Sequence, residues 1–487
     1  MDLRLNRRRF LGAGAASVAG AALLPNLACS TDERAGSDGR LNVLVLIVDS
    51  LRPDHVGAYG SPQVQTPTID ALAARGLRLT RAFPEAMVTV PARRSIFSSK
   101  RIFPYRNWKP NPEIGTSPGW LPIDDPQRTF TTVLRDEGYW SAQVSDNPFI
   151  AFMKAFEPFR DTFDQWTTIV GQSGFYEDPD SIPMSTVRQW LPPILRDERY
   201  IPGMRKYLAN SGGGKDEEET VCARLYKDAA ELLDQAKRRQ PFALTVDSFD
   251  PHEPWSPPRK YLDMYGDPGY EGPEIGVTKY GFAKYFTHEE FRRLHAVYAA
   301  EVTLTDRWLG HFMDRFYELG LDQTTVIVLL SDHGYLLGER GYTGKVPSQL
   351  HPELAQVPFI IVHPDDKAAG RVSPYFASTH DVGPTVLSMV GIDPPGWMDG
   401  VDLSPLLDGE QPAQKRDYHY GGMYNRFYIR TDDNVLIGDN RGLERHMYDL
   451  RVDPHEYQNI EPQNRKLSEE LYQQVLEAAG GPLPYYV

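Results

Sequence analysis

Three stretches of the chain are apolar without interruption. "LNVLVLIV" (41–48), "PFALTVDSF" (241–249) and "TTVIVLL" (324–330) are short and rich in β-branched residues. That pattern predicts strands covered on both faces, as in a parallel sheet. The segments between them change period. "TPTIDALAARG" (66–76) predicts a helix with Pro67 in its first turn and Gly76 as its stop, and "TFTTVLRDEG" (129–138) predicts another, feeding a strand at "YWSAQV". A long helical run, "FRRLHAVYAAEVTLTDRWLGHFMDRFYELG", separates the second and third apolar strands. Alternating strands and helices predict an α/β fold with a doubly wound, mainly parallel sheet. In such sheets ligands bind beyond the carboxyl ends of the strands. Here those ends carry Asp49, the "DPH" of Asp250 to His252, and the "SDH" of Ser331 to His333.

Two regions break the alternation. From Pro148 to Lys215 the chain is aromatic and Pro-rich with poor periodicity, ending in "SGGGKDEEE", and is expected to line a substrate pocket. After Pro394 short polar and aromatic segments lead to a last helix near 466–479, predicting a small C-terminal α+β domain over 396–487 behind a catalytic domain over 40–395. Residues 1–29 read as an export signal. "NRRRFLG" sets Arg7 and Arg8 in a twin-arginine pattern before a short Ala/Gly-rich apolar stretch, too short for a membrane span. Cys29 in "PNLACS" is a candidate for lipidation, although Asn26 stands where leucine is usual, and residues 30–39 form a polar linker. The expectation is an exported protein, periplasmic or extracellular, with a possible lipid anchor.

A chain of 487 residues with 41% hydrophobic and 24% charged residues can bury a large core. Its net charge of −14 argues against a nucleic-acid polymer as partner. Only Cys29 and Cys222 occur, so no disulfide framework is available.

The candidate chemistry centres on "MVTVPARRS". Thr89 precedes Pro91 and an apolar helical run, which puts its hydroxyl at a helix N-terminus, where anions are favoured. A helix-capping threonine is the plain alternative. Asp49, Asp332 and His333 can surround one divalent cation, with Thr89 as a further ligand and as nucleophile. Arg93, one turn on, can face the same anion, while Lys345 in "GYTGK" and His252 in "DPHEPW" supply a clamp and a proton donor. Calcium or magnesium suits the carboxylates and hydroxyl, and His333 tilts the set toward manganese or zinc.

In this order, "VLIVDSLRPDHVGAYG", "TPTIDALAARGLRLTRAF", "TVPARRSIFSSKR", "FDPHEPW", "SDHGYLLGERGYTGK", "HDVGPTVLSMVGI" and "MYDLRVDPHEYQNI" resemble landmarks of the sulfatase family of the alkaline phosphatase superfamily. The resemblance implies a hydrolase of anionic esters with an alkaline-phosphatase-like core. It implies Asp49, Asp332 and His333 as metal ligands, calcium as the metal, Thr89 at the nucleophile position, and Arg93 in support. Lys345 and His252 would meet the ester and its leaving group. Lys100 falls within the nucleophile motif, as a substrate contact or a helix anchor, and His351 is a further candidate substrate contact. His380 is a structural residue or part of a second metal site.

Three departures from the family pattern bear on the chemistry. Sulfatases carry Cys or Ser at the position of Thr89 and oxidise it to formylglycine, an aldehyde threonine cannot give. Unmodified threonine is the nucleophile in superfamily relatives acting on phosphate esters. Ser50 replaces a common metal-binding aspartate. Asp146 and Pro148 stand where a lysine and a histidine usually meet the sulfate, leaving Asn147 as a weaker contact. The expected activity is hydrolysis of sulfuric or phosphoric esters, on a small anionic ester or a sulfated or phosphorylated glycan. The alternatives are a phosphodiesterase or phosphonate monoester hydrolase using Thr89 directly, a sulfatase acting through metal-bound water, and a non-catalytic binder of anionic glycans.

Overall fold

A computed structural model describes residues 39–172, 177–214 and 216–487, so the export-signal and Cys29 readings lie outside the described residues. The described residues from 39 on form one compact unit.

The strands, in chain order, are β1 (Asn42–Val48), β2 (Leu77–Phe83), β3 (Ala86–Met87), β4 (Trp140–Ser145), β5 (Gln165–Thr168), β6 (Phe242–Ser248), β7 (Gly281–Phe282) and β8 (Thr325–Leu330). They continue with β9 (Leu336–Leu337), β10 (Tyr342–Gly344), β11 (Phe359–Val362), β12 (Arg371–Ser378), β13 (Tyr418–Met423), β14 (Arg426–Thr431), β15 (Asn434–Asp439) and β16 (Arg445–Asp449). The main sheet has eight strands in the order β12-β2-β11-β8-β1-β6-β4-β5. All pairings in it are parallel except those of β11, which runs against both β2 and β8. The fold is therefore α/β, with a mixed, mainly parallel sheet.

The apolar runs explain the centre of this sheet. Every residue of β1, β6 and β8 is buried, because helices cover both faces. One cover packs the helices Val221–Arg238 and His288–Glu318 over Leu44, Leu46, Leu244 and Val246. The other face holds Val43, Val45 and Ile47 against Ile96, Phe97, Phe130 and Val386. The register aligns Ile47 with Asp247 on one side and Leu330 on the other, and Ser145 with Asp247. Four neighbouring strands thus end level, and the acidic residues beyond them face a common edge.

Helices α1 (Pro67–Arg75), α2 (Thr89–Ser98) and α3 (Phe130–Asp136) form where the pattern predicts, α3 with a full capping box on Thr129. The region 148–215, expected to line a pocket, takes part in the sheet and the core. It supplies the edge strand β5, and Val187, Trp190, Leu191, Tyr207 and Leu208 join the core. Its poor periodicity reflects short segments buried on several sides.

The C-terminal residues build a five-stranded sheet, β16-β15-β14-β13-β3, covered by the helix Arg465–Ala478. Its fifth strand is borrowed from the N-terminal half. β3 pairs parallel with β13, Ala86 opposite Gly422 and Met87 opposite Met423, immediately before α2. A third, three-stranded sheet, β7-β10-β9, lies beside the site.

Candidate active site

The strand ends and α2 bring together Asp49, Asp332 and His333, all fully buried, with one ligand atom of each lying within 4.8 Å of the others. His333 Nε2 is 3.4 Å from Asp332 Oδ2 and 3.9 Å from Asp49 Oδ1. Its other ring nitrogen, Nδ1, donates to the Gly334 carbonyl at 2.9 Å, which leaves the Nε2 lone pair aimed into the cluster. Burial lowers the His333 pKa to about 4, so the ring is neutral near pH 7, the form that binds metals.

Thr89 is the first residue of α2 and makes no capping bond; Val88 occupies the cap position. The hydroxyl instead points to the cluster, 3.4 Å from His333 Nε2. The plain reading of Thr89 as a helix cap is therefore not what its geometry gives. Ser50, held at a φ of 59°, braces both carboxylates: its hydroxyl donates to Asp49 at 2.8 Å and its backbone N–H to Asp332 at 3.0 Å.

Arg93 is 1% exposed, and its nitrogens contact three buried carboxylates. Nη1 is 2.9 Å from Asp49 and bonds Asp332, while Nη2 bonds Asp247 at 2.7 Å. Its guanidinium balances charge beneath the cluster rather than facing a bound anion. Asp247 was not singled out by the sequence, although a carboxylate inside an otherwise apolar strand signals a buried partner. Ser145 donates to it at 3.2 Å.

Three carboxylates against one guanidinium leave a buried deficit of positive charge. Burial and the neighbouring Asp332 push the Asp49 pKa well up, although Asp49 Oδ2 lies 2.9 Å from Arg93 Nη1. Against the pull of burial, His333 and Arg93 hold Asp332 below its ordinary range. Two carboxylates, a neutral imidazole and a hydroxyl form a donor set suited to a divalent cation.

Lys345 and His252 form a second group. Lys345 Nζ donates to His252 Nε2 at 2.8 Å, and His252 Nδ1 donates to the Glu253 carbonyl at 2.5 Å. Burial, then the Lys345 charge, holds the His252 pKa well below its ordinary value.

The remaining candidates sit elsewhere. Lys100 follows the C-terminal end of α2, about 15 Å along the helix from Thr89. His351 is spent on Glu456, at 2.7 Å, in a network with Arg430 that joins the C-terminal sheet. His380 bonds Ser378 at 2.7 Å and is buried near Arg101, Arg416 and His419, apart from the metal-ligand group. Asp250 receives Gln172 at 3.0 Å and neighbours Asp146 and Glu301 in a separate buried acidic group. Asn147 turns the chain after β4, its side-chain Oδ1 accepting from the Phe149 and Ile150 N–H groups.

Comparison with known proteins agrees with this geometry. The Sulfatase profile matches residues 41–392, and the profile for the N-sulphoglucosamine sulphohydrolase C-terminal region matches 338–480. The chain is 24% identical over 506 residues to the N-acetylglucosamine-6-O-sulfatase of Bacteroides thetaiotaomicron, covering 86% of this chain and 82% of the relative. It is 25% identical over 486 residues to the multifunctional alkaline phosphatase superfamily protein PehA of Trinickia caryophylli, covering 86% and 91%. The fold superposes on the phosphonate monoester hydrolase of Agrobacterium radiobacter with a TM-score of 0.69 at 21% identity, over 90% of this chain and 95% of that one. With most of its length matched by the family profile, this chain belongs to the sulfatase family, as an ester hydrolase of the alkaline phosphatase superfamily.

Proposed function

We propose that the protein hydrolyses sulfuric or phosphoric esters with the unmodified Thr89 hydroxyl as nucleophile. The observation that carries this reading is the aim of Thr89 Oγ1 into the Asp49, Asp332 and His333 group, free of any capping bond. Asp49, Asp332, His333 and Thr89 would hold one divalent cation, calcium by family resemblance, with manganese or zinc as alternatives. When bound, such an ion lowers the proton affinity of a hydroxyl and offsets anionic charge.

The residues of the chain then divide the work. Thr89 displaces the alcohol from sulfur or phosphorus and carries the acid group as a covalent ester. The departing oxygen takes a proton from the Lys345 and His252 pair. Arg93 keeps the carboxylates fixed, and water cleaves the Thr89 ester, releasing sulfate from a sulfate ester, a phosphate monoester from a phosphodiester, or the free phosphonate from a phosphonate monoester. The threonine favours phosphorus, as a phosphodiester or phosphonate monoester, whereas the family and the B. thetaiotaomicron relative favour a sulfate ester, including one on a glycan.

Aryl sulfate, phosphate monoester, phosphodiester and phosphonate ester, each tested with calcium, manganese and zinc, separate these substrates. Thr89→Ala should lose on the order of 10³-fold or more in rate, and Thr89→Ser should keep much of it. Equal rates for Thr89→Ala and the parent would remove Thr89 from the chemistry.

A further inference from the structure

Beyond the candidate metal-ligand group, Glu253, next to His252 in the DPHEPW motif, and Tyr280, which lies outside the motifs, converge on Lys345. Lys345 Nζ donates to the Tyr280 hydroxyl at 2.8 Å and lies 3.5 Å from Glu253 Oε2. The Tyr280 hydroxyl in turn donates to Glu253 Oε1. The ammonium also sits over the rings of Tyr280 and Tyr335, at 5.2 and 5.1 Å from their centroids. Glu253 Oε2 is 3.2 Å from His252 Nδ1, so one carboxylate touches both members of the Lys345 and His252 pair.

The fold builds this arrangement deliberately. β7 pairs with β10 through Phe282 opposite Tyr342 and Gly281 opposite Thr343, which brings Tyr280 beside Gly344. Gly344 has a φ of +84°, and a Cβ there would lie 2.2 Å from Tyr280 Cδ1. Only the bare backbone lets the ring lie across the strand and set its hydroxyl on the next residue, Lys345. Thr343 closes the corner by donating to the Lys279 carbonyl at 2.8 Å. Glu253 is 7% exposed, and its carboxylate is held by Tyr280 and Lys345 rather than by water.

We infer that Tyr280 and Glu253 are positioning residues that fix the Lys345 ammonium against His252 Nε2, and so set the geometry of proton delivery to the leaving oxygen. The physical reason is entropic and electrostatic together. A lysine has four rotatable bonds, and an unheld ammonium would sample many positions. A carboxylate, a hydroxyl and two ring faces restrict it to one. With His252 Nδ1 donating to the Glu253 carbonyl, the Nε2 lone pair must receive the Lys345 proton, so the pair acts as a unit whose alignment depends on Glu253. The inference rests on the ester hydrolysis proposed above for its catalytic consequence, but not for its structural content.

Tyr280→Phe and Glu253→Gln, compared with the parent at matched folding by thermal melting, test it in two ways. Amine-directed labelling followed by mass spectrometry reads the accessibility of the Lys345 ammonium without any substrate. It should be several-fold faster at Lys345 in both variants. Kinetics on a series of esters reads the catalytic consequence: kcat should fall about 10-fold or more for alkyl esters and little for nitrophenyl esters, whose leaving groups need no proton, with KM nearly constant. Labelling at Lys345 unchanged in both variants, or equal losses across the ester series, would overturn the inference. Should the parent hydrolyse none of the esters, the proposed reaction fails, and the labelling result alone decides whether Tyr280 and Glu253 hold Lys345.

Discussion

A buried carboxyl in which burial outweighs its neighbours behaves differently from one paired directly with a guanidinium, and this protein holds both kinds. Asp332 stays ionised beside Arg93, whereas burial pushes the Asp250 pKa up to about 7. In the unfolded chain Asp250 titrates near 3.8. The folded state therefore binds a proton that the unfolded state releases, and stability present below that value is lost as the pH rises through about 7. Asp250→Asn keeps the shape of the neutral acid and cannot ionise. It should raise the melting temperature at pH 8, by at most about 4 kcal/mol of stability, and by much less at pH 5. An identical shift at both values would show that Asp250 is ionised at no cost in the fold. Single residues were also where the sequence was least informative. Asp49, Thr89, Asp332, His333 and Glu253 sit in readable motifs, but the contacts of Asp247 and Tyr280, and of Glu253 with Tyr280 and Lys345, depend on partners brought from elsewhere in the chain, which local patterns do not record.

At the scale of elements, the strong signals were the buried strands. β1, β6 and β8 are legible because their residues are apolar on both faces, and α1 and α3 because Pro, Gly and Thr mark their ends. The two- and three-residue strands β3, β7, β9 and β10 were not legible, since their pairing depends on distant chain and not on periodicity. β10 nevertheless has a testable role. Gly344→Ala would bring both an unfavourable positive φ and a collision with Tyr280, while Gly341→Ala has a φ of +78° and open space around its Cβ. The two variants share the backbone cost, about 1 kcal/mol. Only Gly344→Ala should also lower kcat, by about 10-fold. Matching kcat values for the two variants would mean that the collision with Tyr280 is absorbed without consequence for Lys345.

For the whole molecule, the main sheet and the C-terminal sheet share a core. Phe83, Met87 and Val88 pack with Met423, Tyr428, Val435, Ile437 and Tyr448. Tyr105 bridges the two halves, donating to the Met87 and Gly422 carbonyls at 2.8 and 3.0 Å, and Tyr428 donates to Pro84 at 2.6 Å. A chain ending at 395 would expose this cluster and leave β3 without its partner. It should fail to accumulate as a soluble, cooperatively melting protein. A stable truncated chain that retains hydrolysis would refute that coupling.

The borrowed strand β3 has a consequence for how this architecture can change over generations. Because Met87 pairs with Met423 two residues before Thr89, the C-terminal sheet is part of the scaffold that aims the Thr89 hydroxyl. A substitution on β13 is inherited as a change in the setting of that hydroxyl, and a C-terminal sheet transplanted from a relative would have to match this chain's β3 to be tolerated. Diversification of this half should therefore concentrate in the loops of its sheet and spare the strand that touches β3.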